Sequence, residues 1–131
     1  MKKTILSIAL MLCAAFAFAQ HTKKDLIGKW AGVEDANQKG FMIFKTTSQM
    51  AMYTQGDDPR YFAYTVDFSK TPAPLDILAK SPAGKEVTLP LLIQFIDNNT
   101  IKIQVFDSGN RTANFNKKLK KSISILKRVK K

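Results

Sequence analysis

The feature that most restricts this chain is the run Tyr61-Phe62-Ala63-Tyr64-Thr65-Val66-Asp67-Phe68, in which large apolar side chains fall at every second position. Side chains of an extended strand alternate between two faces, so Phe62, Tyr64, Val66 and Phe68 share one face and Tyr61, Ala63, Thr65 and Asp67 the other. A helix would scatter those aromatics around its surface. The run therefore predicts a strand of an antiparallel sheet with one face turned to a core.

The same period recurs along the chain. Trp30 to Glu34, Phe41-Met42-Ile43-Phe44 and Met50-Ala51-Met52-Tyr53 precede the aromatic run. Thr71-Pro72-Ala73-Pro74 follows it, and the fixed angles and missing donors of the two prolines predict a break there. Leu75 to Ala79 reads as a short strand and Pro82-Ala83-Gly84 as a turn. Val87, Leu89, Leu91, Ile93 and Phe95 then alternate past Pro90, where a bulge or an edge position is expected.

Asp97-Asn98-Asn99 predicts a tight hairpin connection, because Asn tolerates left-handed backbone angles. It leads into Ile101, Ile103 and Val105. Asp107-Ser108-Gly109-Asn110 is the next turn, ahead of expected strands over Arg111 to Phe115 and Ser122 to Val129. A helix signal occurs at Thr22-Lys23-Lys24-Asp25, which has capping-box spacing and predicts one or two turns before Gly28. The chain thus reads as an all-β, small antiparallel barrel or sandwich of about eight to ten short strands with a short N-terminal helical turn.

Before this domain, Lys2 and Lys3 precede an apolar stretch that ends in Ala17-Phe18-Ala19, the small-x-small spacing of a signal-peptidase site. From Thr4 to Ala19 the stretch falls short of the roughly 20 residues that a spanning helix needs. Residues 1–19 are therefore expected to be a signal peptide cleaved before Gln20. Residues 20–131 are expected to form one periplasmic or secreted domain with no retained transmembrane segment. Cys13 follows the bulky Leu12, unlike a lipidation site, and reads as an ordinary apolar residue of the leader. It is the sole cysteine, so the mature domain has no disulfide and must depend on packing and backbone hydrogen bonding.

The chemical inventory is sparse. His21 is the sole histidine and falls next to the expected new N-terminus, so no protein-built zinc or copper site is expected, and no cofactor. Asp57 and Asp58 flank Pro59 and read as turn formers. The chain carries a formal charge of +11, and its end is the most polarised segment: Lys117, Lys118, Lys120, Lys121, Lys127, Arg128, Lys130 and Lys131. Such residues attract anionic lipid or glycan surfaces; alternating lysines also keep an exposed β-edge from pairing with other chains. Nucleic acid is the less expected partner, since a stacking platform needs exposed aromatics among the cations and Phe115 alone lies nearby.

Gly28-Lys29-Trp30 resembles the Gly-x-Trp opening of lipocalin-like barrels. The ordered set Tyr64-Thr65-Val66-Asp67, Pro72 and Asp76-Ile77 is similar to a pattern in small bacterial lipocalin-like domains of unassigned function. The segment from Ile93 to Ile103 and the closing Leu126-Lys127-Arg128 resemble their later hairpin and last strand, so the likeness spans about residues 26 to 129. The chain is shorter than a usual lipocalin and has no long C-terminal helical signal.

The resemblance implies a lipocalin-like barrel closed by Gly28 and Trp30 against Arg128, with Arg128 packed over the indole. It also implies a small apolar or amphipathic ligand, for which Trp30, Phe44, Phe62, Tyr64 and Phe95 are the candidate contacts. Asp67, Pro72 and Asp76 are expected to shape one connection. The leading functional expectation is non-enzymatic ligand binding in the cell envelope. One alternative is an envelope protein that binds an anionic surface or a partner protein through the basic C-terminal region. Another is a hydrolase built from carboxylates such as Asp67, Asp76 and Asp97.

Overall fold

A computed structural model describes residues 21–32, 40–54, 56–107 and 109–130. The expected leader with Cys13, the cleavage point at Gln20, Glu34 and Lys131 lie outside the described residues, as does the side chain of Lys121. Among the described residues, eight strands close into one antiparallel barrel in chain order. They are β1 (Gly28–Gly32), β2 (Gly40–Phe44), β3 (Gln49–Thr54), β4 (Tyr61–Val66), β5 (Ala73–Lys80), β6 (Glu86–Asp97), β7 (Thr100–Val105) and β8 (Ile123–Arg128). The architecture is lipocalin-like in this general sense: a closed up-and-down barrel with a short helical turn at its entrance.

That turn, α1 (Lys23–Leu26), is held by the Thr22 amide, which donates to the Asp25 carboxylate at 2.7 Å. It directs Leu26, fully buried, into one end of the barrel. Closure runs through β1 and β8, where Trp30 faces Arg128 and Gly32 faces Leu126 across the ladder. With the last strand paired on both sides, the lysines that follow Phe115 protect no free sheet edge.

Alternation sets the interior. Met42, Phe44, Met50, Tyr64, Val66, Leu75, Ile77, Leu91, Ile93, Ile101, Ile103 and Leu126 join Trp30 and Leu26 in one contiguous buried cluster. Eight strands enclose a space just wide enough for side chains to fill or for one small ligand. Here the lower barrel is filled by these side chains.

Two prolines stand inside strands, Pro74 where a break was expected and Pro90 where a bulge or an edge position was expected. Pro74 belongs to β5, and Pro90 lies within β6, in register with Asp76 of β5 and next to the first β7 pair, Leu91 with Val105. The carbonyl and nitrogen of a strand residue point the same way. The Pro74 carbonyl accepts from Asp67 N at 3.0 Å, so its missing donor faces the point where the β4 ladder has ended. The Pro90 carbonyl accepts from Phe106 N at 2.9 Å, just beyond the β7 ladder. Each proline forfeits only the reciprocal bond of one pair at the end of a ladder, and the register shift in β6 occurs instead between Phe95 and Asp97.

The expected strand over Arg111 to Phe115 is absent, because both neighbouring ladders are already complete. That segment belongs to a long connection from β7 to β8 that crosses the outer wall of the barrel and ends in a 3-10 stretch, Lys117–Ser122. Gln104 points outward from β7 yet is fully buried beneath it. Its amide oxygen accepts from Asn116 N at 2.7 Å, and its amide nitrogen donates to Asn116 O and Ser122 Oγ, each at 3.0 Å. The outward-facing Leu92 and Phe106 are likewise buried.

Candidate functional site

The two ends of the barrel differ. At one end α1, the β2–β3 and β4–β5 turns and the β6–β7 hairpin converge on Trp30. The indole Nε1 donates to Leu26 O at 2.9 Å, and its ring meets Phe95 edge-on at 6.1 Å. Arg128 lies over the opposite side of this plug, its guanidinium carbon 4.2 Å from the ring centroid. From there Arg128 donates to Ile27 O at 2.8 Å, Asp25 O at 2.7 Å and Asn98 O at 3.0 Å. One cation therefore ties α1 to the β6–β7 hairpin.

Gly28 is required by this arrangement. Its φ is +139°, and a Cβ there would meet Arg128 Nη1 at 2.9 Å. His21 is fixed at the same end, stacked on Phe95 at 4.0 Å and within 3.2 Å of the Asn98 side-chain oxygen. Phe68 flanks Phe95 at 5.9 Å.

The five sequence-derived contact residues do not line one chamber. Trp30 and Phe95 belong to the plugged end. Phe44 and Tyr64 pack edge-on at 5.1 Å within the filled interior. The Tyr64 hydroxyl donates to Thr46 O at 3.0 Å, so it braces the β2–β3 turn. Burial pushes its pKa from 10.0 up to about 12. Phe62, half-buried and paired with Met50, is the member that faces the other end.

A measurable consequence follows from Tyr64. A folded pKa above the unfolded one contributes stability that is present below pH 10 and is lost as pH rises toward 12. Absorbance titration at 295 nm is expected to show Tyr64 ionising only as the pH approaches about 12, with thermal stability falling from pH 10 toward that value. Tyr64→Phe should flatten that alkaline decline; a decline of unchanged steepness would assign it to other groups.

The second end is open and apolar. Met42 faces Met52 across β2 and β3, so Met52 lies on the inward face, yet it is 42% exposed. Val87 and Leu89 continue the inward series of Leu91 and Ile93; Val87 is 47% exposed and Leu89 half-buried. Val105, opposite Leu91, and Phe62 pack against the core from the same end. Gly32, opposite the buried Leu126, and Ser124, opposite Ile103, hold the inward positions of β1 and β8 toward this end, so two strands contribute little side-chain bulk to the rim. The result is an apolar mouth above a filled interior. Of its residues the sequence had marked Phe62 alone as a contact. The signal for the others was the period-two pattern at strand ends, where inward positions emerge into solvent.

The carboxylates are committed elsewhere. Asp67 accepts from Ser69 Oγ at 2.6 Å and Ser69 N at 3.0 Å, and these bonds hold its pKa below the usual range. Asp97 accepts from Asn99 N at 2.8 Å, which lowers its pKa likewise. Asp76 does not shape the turn that holds Asp67 and the buried Pro72. It lies within β5, and its carboxylate pairs with Arg111 at 2.6 Å. Among the described residues no three His, Cys, Asp or Glu side chains gather where a metal ion would be held. No helix among them is long and apolar enough to cross a membrane.

The basic residues form two groups. Lys117, Lys118 and Lys120 are exposed on the 3-10 stretch, while Arg128 is engaged at the plugged end and Lys130 follows it. Strand β8 separates the groups by about 20 Å at the usual rise per residue. No family model matches the chain, and neither curated proteins nor solved structures show significant similarity to it. The architecture and the geometry of its two ends therefore carry the functional reading.

Proposed function

We propose that this chain is a non-enzymatic binding protein of the cell envelope, periplasmic or secreted after removal of residues 1–19. In this reading it takes up a small apolar or amphipathic molecule at the open end of the barrel. The supporting observation is the mouth itself: inward-facing Met52 and Val87 stay 42% and 47% exposed beside Phe62, Leu89 and Val105. Apolar surface left in water at the rim of a barrel is surface that a ligand can cover, with a gain of about 25 cal/mol per Å². Ser124 supplies a polar group of the kind that orients a ligand in such sites.

The shallow depth limits the ligand to one that seats its apolar part in the rim. The filled lower barrel leaves Trp30 and Phe44 as support for that rim. The commitment of Asp67, Asp76 and Asp97 to separate local partners favours binding over hydrolysis.

A neutral, environment-sensitive probe such as N-phenyl-1-naphthylamine tests the reading. Stoichiometric binding with enhanced emission is expected. Met52→Glu and Val87→Glu should each weaken it about ten-fold, equivalent to about 1.4 kcal/mol. Both positions are exposed, so melting temperatures should hardly move. Absence of saturable binding, or unchanged affinity in both variants, would remove the mouth as the site.

A second reading, attachment to an anionic surface, is favoured by the joint exposure of Lys117, Lys118 and Lys120 on one stretch. It would appear as salt-sensitive sedimentation with anionic vesicles that is lost when these three lysines are neutralised.

A further inference from the structure

We propose that a groove on the outer wall of the barrel, distant in function from the mouth, binds a small amphipathic anion. The groove lies between the β4–β5 turn and the β7–β8 connection, and its volume is about 510 Å³. That is within the roughly 300–1,000 Å³ of ordinary small-molecule sites. Its floor is apolar: Pro72, Pro74 and Leu92. Leu92 points away from the barrel interior and is nevertheless only 2% exposed. The connection covers that side chain, Pro72 is buried as well, and the apolar surface left accessible in the cleft belongs to Pro74 and Ala113.

The rim is cationic, formed by Lys70 on one side and Arg111 on the other. Arg111 is held in place through Nη1 alone, which donates to Asp76 Oδ1 at 2.6 Å, Leu75 O at 3.3 Å and Leu91 O at 3.4 Å. Its Nε and Nη2 have no hydrogen-bond partner among the described residues. A guanidinium anchored at one nitrogen and open at the others is an oriented donor for a carboxylate or phosphate group. Arg111 offers the oriented donors and Lys70, on the facing rim, adds a second cation.

Thr112 Oγ1 donates to Asn114 O at 2.6 Å, which stiffens the wall without presenting a charge. No carboxylate lines the groove. An inorganic anion would leave the accessible apolar surface of Pro74 and Ala113 uncovered, and a neutral apolar molecule would leave Arg111 Nε and Nη2 without a partner. A molecule with a short apolar tail and one anionic head satisfies both.

Decanoate below its micellar concentration is the probe, with decanol and decyltrimethylammonium as neutral and cationic controls, followed by amide NMR of the labelled protein. Decanoate is expected to shift the amides of Lys70, Thr71, Leu92 and Arg111 to Asn114, with at least ten-fold higher affinity than either control. Lys70→Glu should weaken it several-fold. Ala113→Trp, at an exposed wall position, should abolish it by occupying the groove while the melting temperature is retained. Shifts confined to Met52, Val87 and Leu89, equal affinity for all three probes, no decanoate binding, or binding unaffected by both variants would each overturn the proposal. The naphthylamine titration reports on the mouth separately, so failure of one site is distinguishable from failure of the other.

Discussion

Trp30→Ala is expected to lower the unfolding free energy by about 3–5 kcal/mol, the range for deletion of a large buried aromatic. Trp30 is fully buried at the plugged end, in contact with Phe95 and beneath Arg128. Its removal leaves a cavity that α1 and the β6–β7 hairpin cannot both collapse into. It also leaves Leu26 O without its donor. Single domains have only about 5–15 kcal/mol in total, so the variant should approach the threshold of folding. Urea titration followed by far-ultraviolet circular dichroism measures the loss. Trp30→Phe, which keeps part of the volume and loses the hydrogen bond, should fall between it and the parent. A loss below about 1 kcal/mol for the alanine variant would mean that the plug does not hold the barrel shut.

Arg128→Ala is the second large effect, expected at about 2–4 kcal/mol. The side chain joins three carbonyls, of Asp25, Ile27 and Asn98, and covers the indole face. Hydrogen bonds from a charged donor contribute about 1.5–3 kcal/mol each where buried, and partial exposure reduces that here. The cation-π contact adds about 0.5–2 kcal/mol. Arg128→Lys is expected to recover little of the loss. An ammonium on a flexible stem keeps the charge but does not reproduce the planar fork that reaches three acceptors while stacking on a ring. Equal stability of the lysine variant and the parent would show that charge alone matters. A double-mutant cycle with Trp30→Leu, which removes the aromatic face, isolates the ring contact from the carbonyl bonds.

Much of the barrel was legible in the sequence because period-two alternation is a local property. Phe62, Tyr64, Val66 and Phe68 define a strand from neighbours alone, and Asp97-Asn98-Asn99 marks a hairpin turn by its own backbone preferences. Local reasoning took Pro74 as part of a break, although it lies inside β5, for a physical reason. Whether a missing N–H matters depends on where the adjacent ladder ends, and that is set by residues far away in the chain. The Arg111 to Phe115 segment was misread as a strand for the same kind of reason, since no unpaired edge is left for it to join.

The functional residues divide along the same line. Alternation identified Phe62, Tyr64, Val87 and Leu89 as members of strand faces, but only the closed barrel decides that Tyr64 is buried against Thr46 while Val87 emerges at the rim. Arg111 and Gln104 carried no sequence signal, because an arginine after a turn and a glutamine between Ile103 and Val105 are ordinary solvent-facing choices. Their roles arise when a connection folds back over the wall, joining Arg111 to Asp76 and Asn116 to Gln104. What the sequence by itself determined was the strand content and which face of each strand is apolar, since both follow from side-chain direction along a single extended segment. Only the tertiary structure decided which apolar positions are filled and which stay open. That depends on strand register and on the path of one long connection, and both are sums of weak contacts between residues distant in the chain.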